Sequence, residues 1–310
     1  MTSGLISIII PCYNKDDYIG DTLDTLLSQS YTNWECIIID DGSSDNSRQV
    51  AESFCSKDSR ITYSWKENSG VADTRNKGIG FSTGDFIMFL DADDTLSAEK
   101  LSVTIEAFTK NPEIDVVYSN FLFIFNNDFT KPRKPSFRVK LKKDAYTDII
   151  KSWDSTLLVP IHACVYRRSF LLKNNIVFCN ILKNKEDWDF LIQVAMATDK
   201  FLYIDQYLCS YRVVPQSRSA KVGTMIIGTD ELFHKHMNSK SINSIAFNLR
   251  YRIILNRLYT LIGRTRDKNC LSMYSIANQS GFKRAYYKNT PFAIFDIIKM
   301  TIYKIYRLWQ

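Results

Sequence analysis

Four short strand-like runs occur in the first 90 residues, and a helical pattern follows each one. Leu5–Ile10 ends at Pro11, Trp34–Ile39 at Asp40-Asp41-Gly42, and Phe86–Leu90 at Asp91-Ala92-Asp93-Asp94, with Ile61–Trp65 a further strand between them. Runs this compact and continuously apolar suit strands buried on both faces, as in parallel sheets. Between them, Tyr18–Ser30, a segment capped at Ser44 or Asp45 and running to about Ser56, Val71–Phe81 and Ser97–Thr109 carry helical spacing. Asp115–Phe125 reads as a longer strand. Repeated strand–helix units of this length predict an α/β fold with a doubly wound, mostly parallel sheet.

In such sheets ligands bind beyond the carboxyl ends of the strands. The polar clusters fall there, at Tyr13-Asn14-Lys15, Asp40-Asp41 and Asp91–Asp94, and each comes from an independent segment. Asn126–Lys143 is polar and basic, holds Pro132 and Pro135, and reads as a long loop, functional or mobile. Further on, helices are expected near Ala145–Trp153 and around Glu186–Ala197, and strands near Ala163–Tyr166 and Phe201–Ile204. From about Lys221 the pattern is mostly helical.

Charge divides the 310-residue chain unevenly. Residues 1–128 hold 9 Lys+Arg and 21 Asp+Glu; residues 129–310 hold 31 and 12, for an overall +7. An acidic front joined to a basic back points to an anionic partner such as a membrane. No recognised nucleic-acid motif accompanies the charge. The seven cysteines form no CxxC pair; Cys12, Cys36, Cys164 and Cys209 sit in or beside apolar runs and read as buried thiols. No uninterrupted apolar run reaches the length of a spanning helix, and no secretory leader pattern follows Met1, so a protein that stays inside the cell is expected.

Asp91, Asp93 and Asp94 place three carboxylates in four residues. Leaving all three ionised calls for a counter-charge, which a hard divalent cation such as Mg²⁺ or Mn²⁺ supplies. A solvated turn with a helix cap at Asp94 or Ser97 would give the same residues. Glu186-Asp187 opens a helix, where acidic residues are also favoured by the dipole. Gly78-x-Gly80-x-x-x-Gly84 follows a helix and lacks the spacing of a dinucleotide fingerprint.

Four segments occur in order: Ile8-Ile9-Ile10-Pro11-Cys12-Tyr13-Asn14; Ile39-Asp40-Asp41-Gly42-Ser43-Ser44-Asp45; Asn68-Ser69-Gly70-Val71 with Arg75-Asn76-Lys77-Gly78; and Gly84-Asp85 ahead of Asp91-Ala92-Asp93-Asp94. Together they resemble the family 2 glycosyltransferases of the GT-A fold, most specifically over residues 5–110 and more loosely to about 217. The resemblance implies a catalytic domain over 1–220, with a nucleotide-sugar half at about 1–125 and an acceptor half at about 126–220. A basic helical extension would occupy 221–310.

The implied donor is a nucleoside-diphosphate sugar, expected to be a UDP-sugar. Pro11 and Tyr13 would line the base pocket and Asp41 would hydrogen-bond the base. Asp91 would hold the ribose or the surroundings of the metal, Ala92 lies in the same donor-binding run, and Asp93 would ligate Mn²⁺ or Mg²⁺. Arg75, and also Lys15, would sit near the diphosphate. Asp187 matches the position of the catalytic base of an inverting transfer, with Asp189 its nearest competitor. Local alternatives stand beside these roles: Asp41 opening a turn with Gly42 and Ser43, and Arg75 pairing with Asp73 or Glu67.

After Tyr211-Arg212 the family often shows a histidine where this chain has Val214, which removes one candidate metal ligand. Arg212, Gln216 and Arg218 could contact phosphate instead, and His162 could bind acceptor or be a satisfied structural histidine. The implied acceptor is a hydroxyl of a glycan or lipid-linked sugar, in bacterial surface polysaccharide synthesis at the inner face of the membrane. The helix after Thr290-Pro291 has a broad apolar face opposite basic residues, which suits a membrane surface, the domain itself or a second subunit equally. Rival readings are a non-catalytic nucleotide-sugar-binding module and a sugar-1-phosphate nucleotidyltransferase. The latter needs a Gly-rich phosphate loop where Pro11-Cys12-Tyr13-Asn14 stands.

Overall fold

A computed structural model describes residues 4–153, 156–182 and 184–214, together with 228, 231, 232, 235 and 236. The chain divides into Met1–Ile254 and Leu255–Gln310. The second unit lies wholly outside the described residues, as do the expected C-terminal helix, Gln216 and Arg218.

The first unit is built on one eight-stranded sheet. In chain order its elements are β1 (Ile6–Cys12), α1 (Asp16–Leu27), β2 (Trp34–Asp40), α2 (Ser47–Cys55), β3 (Ile61–Trp65), α3 (Val71–Phe81), β4 (Phe86–Phe89), β5 (Thr95–Leu96), α4 (Lys100–Lys110) and β6 (Val116–Phe125). There follow α5 (Ala145–Ser152), a 3₁₀ turn at Ile161–Ala163, β7 (Cys164–Arg167), α6 (Arg168–Lys173), α7 (Glu186–Ala197) and β8 (Phe201–Val213). The strand order is β3-β2-β1-β4-β7-β6-β8-β5. Strands β1 to β4 run parallel, β7 runs against both β4 and β6, β8 is parallel to β6, and β5 is antiparallel to β8.

The mostly parallel α/β sheet expected from the apolar runs is present. Ile6, Ile8, Ile9 and Ile10 of β1 are all buried because helices cover both faces of that strand. Helix α3 packs so closely on β1 that a Cβ at Gly78 would stand 2.3 Å from Ile9 Cγ2. Cys12, Cys36, Cys164 and Cys209 are buried free thiols, and burial pushes the Cys12 thiol up to about 12.

The differences from expectation are local. Strand β8 continues to Val213, not Ile204, because Asp205, Gln206 and Tyr207 lie on an exposed stretch that carries no apolar signal. A register shift around Asn120 in β6 accommodates it, with Asn120 Nδ2 donating to Asp205 Oδ1 at 2.7 Å. Helix α4 starts at Lys100 without a side-chain cap, so neither Asp94 nor Ser97 caps it. Two short elements carry too little periodicity to be read, β5 with two residues and α6 with six.

Candidate active site

The carboxyl ends of β1, β2 and β4 bring the first three polar clusters together. Register places Cys12 beside Asp40, and Asp41 N donates to Cys12 O at 2.8 Å. The loop after β1 is then tied to the loop after β2. Asn14 N donates to Ser43 Oγ, Ser44 N to Asn14 Oδ1, and Lys15 N to Ser47 Oγ. Beside this lattice Pro11 is half-buried, and Tyr13 leaves 51% of its surface exposed.

Asp41 is buried and does more than open a turn. Its Oδ1 accepts from Ser69 N at 2.8 Å and from Lys66 Nζ, and its Oδ2 accepts from Gly70 N at 2.9 Å. One side chain therefore pins the loop that leads into α3, where Gly70 has φ +96°. A carboxylate has about four lone-pair sites, so Oδ2 retains capacity for one more donor. The turn itself is held by the neighbouring Asp40, whose Oδ1 accepts from Ser43 N at 2.7 Å.

Arg75 pairs with neither Asp73 nor Glu67. Its guanidinium is buried from α3 under the sheet's edge, where Nη2 donates to Asp91 Oδ1 at 2.6 Å and Nη1 to Glu186 Oε1 at 3.3 Å. The guanidinium also lies 5.1 Å from the Phe178 ring centroid. Ala92 is 2% exposed, and its carbonyl accepts from Thr22 Oγ1 at 2.9 Å. It thus acts as a buried spacer that turns Asp91 and Asp93 outward. Asp93 keeps 17% of its side chain exposed and is paired with Lys15.

Asp94 does not join that group. It is buried, its Oδ1 accepts from Arg212 N at 2.8 Å, and its Oδ2 lies 2.7 Å from His162 Nδ1. Burial raises the Asp94 carboxyl and His162 pulls it back, leaving it at about 6. Burial alone would lower His162, but Asp94 holds it well above the usual imidazole range. His162 is therefore held inside the fold by its ion pair to Asp94, while its buried ring nitrogens make no regular hydrogen bond. Arg212 donates to Asp21 and to Asn127 Oδ1 at 2.6 Å.

The last carboxylates come from α7. Lys185 turns the chain into the helix with φ +67°, a left-handed conformation uncommon outside glycine. Trp188 stacks on Trp153 with ring centroids 6.0 Å apart, and Phe190 stacks on Phe178 at 4.1 Å. Those contacts fix the first turn of α7. Asp187 is half-buried there. Burial pushes its carboxyl up and neighbouring Glu186 adds to this; Lys185 and Arg75 pull it back, leaving it at about 6.

Asp189 differs from its neighbour. It is 0% exposed and bound by His236 Nε2 at 2.7 Å, Lys235 Nζ at 2.7 Å and Gln193 Nε2 at 2.7 Å. Burial would raise it, but His236 and Lys235 outweigh that and pull it below the usual carboxylate range. With its oxygens committed, Asp189 cannot compete as a base.

Among the described residues no group of three or more His, Cys, Asp or Glu side chains could enclose a metal ion. The partly exposed Asp93 and Asp91 are oxygen donors whose charge is balanced by Lys15 and Arg75. That donor set fits Mg²⁺ or Mn²⁺, which take one or two carboxylates and complete their shell with phosphate oxygens and water. It does not fit a closed transition-metal cage.

The functional residues missed from sequence are partners rather than motif positions. They are Lys66 on Asp41, Glu186 on Arg75, and Phe178 and Trp153, which orient α7. The Glu186-Asp187 pair was the only local signal for any of them, since two adjacent acids at a helix start demand some counter-charge.

Comparison with known proteins places the chain among glycosyltransferases. Among curated relatives, the UDP-Glc:alpha-D-GlcNAc-diphosphoundecaprenol beta-1,3-glucosyltransferase WfgD of Escherichia coli is 35% identical over 215 residues, covering 65% of this chain and 83% of WfgD. The uncharacterized glycosyltransferase EpsJ of Bacillus subtilis is 28% identical over 216 residues. The match covers 69% of this chain but only 62% of the length of EpsJ. Among solved structures, S. aureus TarS in complex with UDP-GlcNAc superposes with a TM-score of 0.64 at 19% identity, over 82% of this chain and 72% of that one. The mannosyltransferase PcManGT from Pyrobaculum calidifontis, in complex with GDP-Man and Mn²⁺, gives a TM-score of 0.58 at 15% identity, over 99% and 83%. These two likenesses establish the shared fold. The family model for glycosyl transferase family 2 matches residues 7–175, more than half of the chain, and the chain belongs to that family.

Proposed function

We propose that the chain transfers a sugar, with inversion, from a UDP-sugar to a hydroxyl of a glycan or lipid-linked acceptor in bacterial surface polysaccharide synthesis. The observation that carries this reading is the link Asp91–Arg75–Glu186, with Asp187 next in the chain. It joins the carboxylates at the end of β4 to a carboxyl of raised affinity for protons. The names of the relatives support it. WfgD is named for transfer from UDP-Glc to a diphosphoundecaprenol-linked sugar, and two TarS structures hold UDP and UDP-GlcNAc.

In this reading the exposed Tyr13 ring covers the uracil face beside Pro11. Asp41 Oδ2 accepts from the pyrimidine N–H through its remaining lone pair. Asp93, with Asp91 beside it, would hold Mg²⁺ or Mn²⁺. When bound, that ion neutralises charge developing on the donor diphosphate. Lys15 then has its ammonium free to move from Asp93 to a phosphate oxygen. Asp187 takes the proton of the acceptor hydroxyl as its oxygen attacks the anomeric carbon. The bond from that carbon to the diphosphate oxygen breaks, and the nucleoside diphosphate leaves with the electron pair. A base of pKa about 6 is ionised at neutral pH yet still a competent proton acceptor. One carboxylate suffices, because no covalent glycosyl intermediate forms on the protein.

The test is a screen of UDP- and GDP-sugars for hydrolysis in Mn²⁺ or Mg²⁺, with the Asp187→Asn variant run in parallel. Hydrolysis of one UDP-sugar that needs the cation and Asp93 supports the reading. Donor binding without turnover under all conditions supports the non-catalytic module instead. A peripheral position at the membrane belongs to the same proposal. The described residues include no helix long and apolar enough to cross a bilayer.

A further inference from the structure

The loop between β6 and α5 carries a charge that the donor chemistry does not use. Residues 129–143 hold seven Lys or Arg and no Asp or Glu. Arg138 is the one cation of the seven that is ion-paired among the described residues, through two 2.7 Å bonds to Asp148. Lys131, Arg133, Lys134, Lys140, Lys142 and Lys143 are exposed. A surface shaped only for solubility interleaves charges of both signs.

These cations are not a loose tail. Arg133 pairs with Phe123 through two backbone bonds, Phe123 N to Arg133 O at 2.7 Å and Arg133 N to Phe123 O at 2.9 Å. Leu141 N donates to Tyr118 Oη at 2.9 Å. The Arg133 guanidinium lies 5.0 Å from the Phe125 ring centroid, Lys134 Nζ 5.1 Å from that of Tyr207, and Lys140 Nζ 5.7 Å from that of Tyr203. Tyr203 and Tyr207 lie opposite Tyr118 and Asn120 across the bulged stretch of β8, so Lys140 and Lys134 are held at two neighbouring points along that strand. Phe129 and Tyr207 remain 42% and 38% exposed on the same loop and strand.

From this we infer that the 129–143 loop, laid along β8, is a docking surface for an anionic phospholipid bilayer. Rows of lysine are drawn to the negative surface potential of such a leaflet, and exposed aromatic side chains sit at its headgroup level. The strip is independent of the C-terminal helix considered from sequence. It agrees with a lipid-linked acceptor but rests on charge and exposure, not on the identity of any sugar.

The experiment is cosedimentation of the full chain with phosphatidylcholine vesicles, with and without phosphatidylglycerol and free of any acceptor, at low and high salt. The wild type should bind only the phosphatidylglycerol vesicles and be released by salt. The triple variant Lys131→Gln/Lys134→Gln/Lys140→Gln should lose binding by about a hundredfold, at roughly fivefold for each cation removed near the surface. The corresponding triple Lys→Arg variant should bind as the wild type does. Metal-dependent hydrolysis of donor in solution, equal in all three, shows that the variants fold. Failure of the wild type to bind, equal binding to both kinds of vesicle, or undiminished binding by the Gln variant overturns the inference. The last result would move the contact elsewhere in the basic chain. Vesicle binding by a chain that hydrolyses no donor would leave this surface standing and remove the proposed activity.

Discussion

Arg75 Nη1 lies 3.3 Å from Glu186 Oε1, across 111 residues of chain, while Nη2 of the same guanidinium holds Asp91 at 2.6 Å. One buried cation therefore ties the strand end that carries the donor carboxylates to the helix start that carries Asp187. Arg75→Met leaves Glu186 buried without its cation, a loss of about 3–5 kcal/mol. Arg75→Lys keeps the charge but cannot bridge two carboxylates with a planar fork. It should fold, with turnover reduced by about 10²–10³-fold, the usual effect of removing one charge-stabilising donor. Thermal denaturation of both variants and initial rates for the Lys variant check this. Undiminished turnover in the Lys variant would remove Arg75 from the site.

As the proposed base, Asp187 should govern the pH dependence. Its folded pKa of about 6 means the base is protonated in acid, so turnover should rise through pH ~6 and level off above it. Asp187→Asn should lower kcat by about 10²–10⁴-fold with UDP affinity unchanged. The stability effect has the opposite sign. A carboxyl whose pKa is raised on folding binds its proton more tightly in the folded chain, so its ionisation weakens the fold as pH climbs from ~4 to ~6. Asp187→Asn should accordingly melt higher than the wild type at pH 7, with the gap closing toward pH 4. Melting curves across that range decide it; a gap that widens in acid would contradict the assignment.

Asp94 and His162 form a buried pair next to the cation site but outside its chemistry. His162→Leu leaves Asp94 buried beside Arg212 N with one acceptor uncompensated, at a cost of about 3–5 kcal/mol. Asp94→Asn/His162→Leu removes the buried charge altogether and should recover part of that loss. Urea denaturation of the two single variants and the double variant measures the coupling. Simple additivity would show that the two residues do not act as a pair.

How much of this was legible follows from how each feature is encoded. Strands β1, β2 and β4 are buried along nearly their whole length, so Ile8-Ile9-Ile10 and Ile37-Ile38-Ile39 announce themselves without any tertiary knowledge. Pro11, Tyr13, Asp41, Asp91 and Asp93 sit where a strand run stops, and the fold places those stops together. Partnership is not local. Nothing near Asp189 shows that Lys235 and His236 will close on it, and nothing near Asp94 shows that it turns inward to His162 while Asp93 turns outward. Six acidic residues in two motifs, Asp91, Asp93, Asp94, Glu186, Asp187 and Asp189, look alike along the chain. Burial and the nearest cation separate their roles.

Asp41 offers the sharpest test of the nucleotide end, because its contacts within the fold and its proposed contact with the base use different lone pairs. Oδ1 is taken by Ser69 N and Lys66, while Oδ2 is taken once, by Gly70 N. Asp41→Asn keeps the shape and one oxygen, yet it replaces the other oxygen with a donor that faces a backbone N–H or a base N–H. If the amide oxygen stays toward Ser69 and Lys66, the new NH₂ opposes Gly70 N and the base together. The variant should lose about 1–3 kcal/mol of stability from the unpaired amide. Its UDP affinity should fall by more than tenfold, whereas Asp93→Ala should lose only the part of UDP affinity that depends on Mn²⁺. Titrations of UDP with and without Mn²⁺, followed by the rise in melting temperature that a bound ligand produces, separate the two effects. If Asp41→Asn melts lower but binds UDP as the wild type does, Asp41 serves the α3 loop alone and base recognition belongs elsewhere on the β1–β2 edge.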